Sequence, residues 1–299
     1  MTRDLNMGNI ETPGKLIEAL KNLRDKRKCP QASFLLRGQP KAKYEGDLRP
    51  KIGRPYEYIG EKKTFNLYHE IRLLHRFRRH SYSNHERILN DWEAVFVARH
   101  YGLPTRLIDW TGNPLVALYF ACEFYEKFKD SSKDNDGKVW VAVYNPEEKA
   151  FLNVFETLPK SWLAQKKEDL PESVVKVLPD KGSLLEVDEE LDQLPEPLKV
   201  RGLRVVAPFY ADPRMTAQHG MFTIQDDPWS DWSDSKFDKS HQSEFVDIIA
   251  LYKWTVPQDK RKSIVIELEK MGVNYRTLFP DLTGLAAGLC QTEALRGLE

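Results

Sequence analysis

Apolar positions along the chain switch repeatedly between a helical and an alternating period. Leu16, Ile17, Leu20 and Leu23 recur at helical spacing behind a Thr12-Pro13 start signal, which predicts a short amphipathic helix over residues 10–27, stopped at Cys29-Pro30. The apolar run Ser33-Phe34-Leu35-Leu36 reads as a buried strand, with Arg37 at its end and Gly38-Gln39-Pro40 as the turn that follows. From Phe65 to Arg99 the period is helical again. Leu67, Ile71, Leu74 and Phe77 mark one amphipathic helix, and Ile88, Leu89, Trp92, Val95 and Phe96 mark a second. Gly102 is placed for a left-handed cap on the second helix and Pro104 prevents continuation, so residues 100–113 are expected to be a shaped loop.

Asn113-Pro114 opens a third helix, with a cap residue ahead of Pro at the first helical position. Its first half, LVALYFAC, is apolar all round, as in a helix central to a core. Lys138–Tyr144, Leu203–Ala207, Met221–Ile224 and Phe245–Tyr252 carry strand patterns, and a helix is predicted from Pro257 to Lys270 with Gly272 as its stop. Residues 145–200 are weakly patterned and read as a variable excursion. Helices and strands mix without a steady βαβ alternation, which predicts an α+β fold: a mixed or antiparallel sheet with a large helical region, about 60–130, packed on it. Residues 1–30 are taken as an N-terminal helix and lead-in, and 31–299 as one domain.

Composition narrows the function classes. The 299 residues are 41% hydrophobic and 11% aromatic, enough for a globular core, and 45 Lys+Arg balance 45 Asp+Glu. A neutral chain lacks the global basic footprint of a nucleic-acid protein and leaves room only for a local patch. The three cysteines, Cys29, Cys122 and Cys290, are odd in number and far apart, so no zinc or redox pair is formed. No signal peptide or membrane-length apolar run is seen, and a cytoplasmic protein with no membrane partner is expected.

His69 and His75 are six apart, which points them away from one metal on a helix, and no metal ligand set is expected. Arg72, Arg76 and Arg79 share a face with His69, a basic stripe suited either to phosphates or to plain solvation. No phosphate loop or serine nucleophile elbow is present. Cys122, on its apolar helix, is expected in the core. In the loop His100–Thr111, Arg106 and Asp109 are three apart. They would either form an internal ion pair or hold an anion between them, and His100 beside them is a reasonable proton-transfer group.

Leu36-Arg37-Gly38-Gln39, then Ala98-Arg99-His100-Tyr101-Gly102-Leu103-Pro104-Thr105-Arg106-Leu107-Ile108-Asp109-Trp110 and Asn113–Ala121, resemble the FRG-domain family, with Leu36 in place of the usual aromatic residue. Arg214, Gln218, Gly220, Phe222 and Leu278–Ala286 also look like family positions. That resemblance implies a bacterial or phage-associated setting in defence or toxin systems. A further ordered trio resembles ADP-ribosyltransferases: Arg37-Gly38, Phe222-Thr223 and Gln242-Ser243-Glu244. It implies NAD as a substrate, gripped by Arg37 through its phosphates. Gln39, Gln218 and Thr223 would support the site, Glu244 would engage the nicotinamide ribose, and Gln242 would orient a macromolecular acceptor. The other expectation is a non-catalytic module that engages nucleic acid or protein through the basic helix stripe, Trp92, Trp110 and the loop arginines.

Overall fold

The computed structural model describes residues 1–27, 33–40, 48–58, 61–81, 89–123, 136–144, 196–207, 213–234, 246 and 248–296. Its frame is a seven-stranded mixed sheet with the order β1-β9-β6-β2-β5-β8-β7. The strands are β1 (Thr2–Asp4), β2 (Ser33–Gln39), β5 (Leu107–Thr111), β6 (Gly137–Tyr144), β7 (Leu203–Val206), β8 (Gly220–Gln225) and β9 (Ile248–Val256). Every neighbouring pair is antiparallel except β1 with β9. A separate hairpin joins β3 (Tyr56–Tyr58) to β4 (Glu61–Lys63). The helices are α1 (Pro13–Arg27), α2 (Leu67–His80), α3 (Asp91–His100), α4 (Pro114–Cys122), α5 (Pro213–Ala217), α6 (Arg261–Lys270), α7 (Tyr275–Leu278) and α8 (Leu282–Arg296). The fold is therefore α+β.

Strand alternation sends odd and even positions to opposite faces of the sheet. On one face, Leu36, Val139, Val141, Ala250 and Trp254 pack under α1, α4 and α6, while Leu107, Phe222 and Ile224 pack under α2 and α3. On the other, Leu35, Trp140, Ile108, Trp110 and Val205 close around Trp232, which a loop supplies rather than a helix. The N-terminal lead-in belongs to this unit, because β1 is an edge strand and Leu16, Leu20 and Leu23 of α1 are core residues.

Local signals explain most boundaries. Asn66, Asn90 and Asn113 cap α2, α3 and α4, the first two within capping boxes, and Gly102 takes φ 88° behind α3 as its position predicts. Two expectations are corrected. Residues 107–111 are a central strand rather than loop, because Leu107 and Thr111 turn to one face and Ile108 and Trp110 to the other. β2 runs on through Arg37, Gly38 and Gln39, which pair with Trp140, Val139 and Lys138 instead of turning. The excursion expected at 145–200 lies outside the described residues up to 195, as does the end of the third helix beyond Glu123. No helix among the described residues is long and apolar enough to cross a membrane.

Gly38 sits where α4 crosses the sheet. A Cβ there would lie 1.9 Å from the Ala117 carbonyl oxygen and 2.5 Å from the Ala121 nitrogen, so helix backbone lies directly on strand backbone. Gly137 on β6 meets the Ala121 carbonyl in the same way, at 2.2 Å. Gly38→Ala is therefore expected to destabilise the protein by at least about 3 kcal/mol. Gly14→Ala, where a Cβ meets nothing closer than 3.9 Å, should be neutral or slightly stabilising. Urea midpoints of the two variants measure the contrast.

Candidate functional site

β2 and β5 share only the Leu36↔Thr111 pair. Beside that pair, Arg37 donates from Nη1 to the Asp109 backbone carbonyl at 2.7 Å, and the same nitrogen stands 3.8 Å from the Asp109 carboxylate. Asp109 is on the helix-covered face. There Arg99, in the last turn of α3, grips its carboxylate with both guanidinium edges, Nε at 3.0 Å and Nη2 closer. Lys51, on the short 3-10 turn Lys51–Gly53, donates to the Gly102 carbonyl just past α3. Arg54 follows it, donating from Nε to the Arg49 carbonyl at 2.8 Å.

Arg37, Arg99 and Lys51 thus lie within electrostatic reach of one carboxylate, with Arg54 near enough to act on Arg37, and the cluster opens to solvent. The Asp109 side chain is 46% exposed, against 21% for Arg37 and 16% for Arg99. Burial pushes the Arg37 guanidinium down to about 10, Asp109 opposes the shift, and the charges of Arg99 and Arg54 add to it. Lys51 is lowered by burial and by Arg99. Burial works against ionisation of Asp109, but the charge and hydrogen bond of Arg99, with the charge of Arg37, outweigh it and hold the carboxyl below 3.8. At neutral pH the site carries excess positive charge, an arrangement fit to bind an oxyanion through charge-assisted hydrogen bonds.

The expected Arg106–Asp109 ion pair does not form. Arg106 lies ahead of β5, and its guanidinium is taken by a different carboxylate. Arg106 is 2% exposed and makes a two-pronged pair with Glu70 of α2, Nε to Oε1 at 3.0 Å and Nη2 to Oε2 at 2.7 Å, while Nη1 reaches the Asp226 carbonyl. It is committed to the core and cannot grip an anion with Asp109. This also dissolves a centre built on His100, Arg106 and Asp109 together. His100 follows Arg99 in the last turn of α3, its ring edge-on to Tyr101.

The remaining residues are dispersed. Gln39 Oε1 accepts the Trp140 indole N–H at 2.8 Å, and the Thr223 hydroxyl accepts that of Trp110 at 2.9 Å, both inside the core. Gln218 Nε2 donates to the Leu278 carbonyl, and its own carbonyl accepts from Thr111, so it ties α7 to β5. Arg37 is the one of these that meets the cationic cluster. Gln242 and Glu244 lie outside the described residues. Trp92 and Trp110 are 5% and 3% exposed, which removes them from any partner surface. Burial lifts the Cys122 thiol to about 12 in the core, so it is no nucleophile.

Arg99, Lys51, Arg54 and Glu70 were not singled out from sequence. Glu70 had a readable signal: it lies beside Ile71 and one turn before Leu74, within the apolar arc of α2, where a carboxylate requires a cation. Lys51 and Arg54 had none, lying in a stretch without a period.

Residues 32–130, the segment that supplies β2, α2, α3, β5 and α4, match the family model described as FRG domain. No curated protein and no solved structure matches the chain.

Two outcomes are expected. Asp109 has a depressed folded-state pKa, so its stabilising contribution is complete above its unfolded value and is lost as pH falls below 3.8 through the folded value. Asp109→Asn should flatten the acid limb of a plot of urea midpoint against pH below about 4. Glu70→Ala should cost about 3–5 kcal/mol at pH 7, because it leaves the Arg106 charge buried and unpaired; chemical denaturation reads the loss.

Proposed function

We propose that the protein is an NAD-using, ADP-ribosyltransferase-like enzyme of a bacterial or phage defence or toxin system, which modifies a macromolecule or depletes NAD. The observation that carries this reading is the excess of cations, Arg37, Arg99 and Lys51 with Arg54 beside Arg37, over the single carboxylate of Asp109. A dinucleotide offers a diphosphate, and Arg37 is the residue assigned to it by the resemblance. Phosphate oxygens would replace solvent at an open edge of the cluster and relieve the crowding of like charges there. Asp109 holds two of the arginines in place, so little ordering cost remains at binding.

The chemistry then runs at the nicotinamide ribose. The bond from C1′ to the nicotinamide nitrogen breaks, and nicotinamide leaves with the bonding electrons. Positive charge develops on C1′ and the ring oxygen, where the Glu244 carboxylate stabilises it. The acceptor's nucleophile, or water, bonds to C1′ and gives up its proton. Gln242 orients that acceptor. Transfer to a macromolecule and simple loss of NAD differ only in which nucleophile arrives.

Nicotinamide release and label transfer to cell extract test the reading, with folding of each variant checked by thermal melt. Arg37→Ala should raise KM for NAD at least about tenfold, the loss of one charge-assisted contact. Glu244→Ala should lower kcat at least about 100-fold. A wild-type protein that neither releases nicotinamide nor transfers label, with extract and nucleic acid both supplied, would end the proposal.

A further inference from the structure

The exposed side of α2 is a second concentration of positive charge among the described residues, and the NAD reading does not use it. The helix has one acidic residue, Glu70, and Arg106 draws that residue into the core. The charged groups that remain outside are arginines: Arg76 and Arg79 are exposed and Arg72 half-buried, so a stripe of cations runs along the helix from Arg72 to Arg79, about 10 Å, with the exposed rings of His69 and His80 at its ends. Arg78 is turned aside to Asp91, at 2.6 Å. Among the described residues no carboxylate pairs with Arg72, Arg76 or Arg79. A solvated helix face ordinarily mixes both signs of charge, often as i,i+4 pairs, and a chain with no net charge has placed only one here.

The stripe continues into aromatic rings. Arg72 lies over the Tyr68 ring at 5.3 Å, Tyr68 meets His69 edge-on, and His69 meets Phe65 at 6.1 Å. Phe65 in turn lies 5.5 Å from Tyr56, which is 43% exposed on the β3–β4 hairpin. The indole N–H of Trp229 holds the Phe65 carbonyl at 2.7 Å, anchoring this end of the row. Cations spaced along a helix and leading to an open aromatic face match the needs of a single nucleic-acid strand, which presents phosphates on one side and unstacked bases on the other.

We propose that this face of α2, with Tyr56 and Phe65, is a docking surface for single-stranded nucleic acid. Arg72, Arg76 and Arg79 neutralise successive phosphates, and Tyr56 stacks a base at the hairpin end. The stripe is carried by α2, which supplies no residue of the Arg37–Asp109 cluster, and the proposal stands whether or not the protein uses NAD.

Fluorescence anisotropy with a labelled poly-U or poly-dT oligonucleotide tests it on the full chain. Three phosphate contacts give a log–log salt slope near −2, so affinity should fall about 20-fold between 50 and 200 mM salt. The variant R72A/R76A/R79A should lose most of the affinity and most of the salt slope, with its far-UV circular dichroism unchanged. The single variant Arg76→Ala should make the slope shallower by about 0.7, a readout that survives if the triple variant folds poorly. Tyr56→Ala should weaken single-strand binding at least about fivefold and leave weaker duplex binding unaffected. Arg37→Ala should bind the oligonucleotide as the wild type does. Four results would overturn the proposal: no binding by the wild type, an unchanged triple variant, binding lost in Arg37→Ala, or capture by phosphatidylserine vesicles without any oligonucleotide binding.

Discussion

The contact on which the rest of the architecture depends is the seating of α4 directly on the backbone of β2 and β6. Gly38 and Gly137 remove two side chains from adjacent strands, and the last turn of α4 fills the space they leave. An apolar helix buried on nearly all sides is then fixed in rotation and height at the centre of the sheet. Because Gly38 must face the helix, strand alternation sends Arg37 to the other face, beside the place where β2 and β5 share a single pair. The Arg-Gly dipeptide therefore couples packing to chemistry: the glycine sets the strand against the helix, and the arginine inherits its position from the glycine.

Two ion-pair systems built from neighbouring residues play different parts. Arg106 with Glu70 is dry, with both side chains at 5% exposure or less, and it welds α2 to the start of β5. Such a pair adds little net stability over an apolar replacement, but loss of either partner strands a charge in the core. Arg37 and Arg99 with Asp109 form the wet system. It has more cations than carboxylates, an open edge, and a central acid whose ionisation is enforced by its neighbours. Surplus charge that remains hydrated is available to a ligand, whereas balanced charge in the core is not.

The same sorting of charge accounts for the outer face of α2. Withdrawing Glu70 into the core leaves that helix a uniformly basic exterior, so one buried interaction supports the fold and also sets the character of a distant surface. The two cationic regions rest on separate elements: Arg37 and Arg99 are positioned by β2 and α3, and the stripe by α2 alone.

Much of the local structure is legible in the chain. Asn113, Pro114, Gly102 and the helical spacing of Leu67, Ile71 and Leu74 act within a few residues of where they stand, and each has its predicted effect. The strand Leu107–Thr111 was hidden because five residues with a carboxylate at the centre look polar until a guanidinium arrives to meet it. α7 and α8 were likewise not read as helices. The partners of Asp109 come from 10 and 72 residues away, and that of Arg106 from 36. Sequence spacing suggested that Arg106 and Asp109 belong together, but each finds its charge partner on a different helix, α2 for Arg106 and α3 for Asp109. The sequence by itself determined most of the helices and strands and the α+β class, because those signals are local or carried by contiguous motifs. Only the tertiary structure decided which charges pair, which are buried and which remain open to a ligand, because those outcomes depend on strand order and on the face each residue takes.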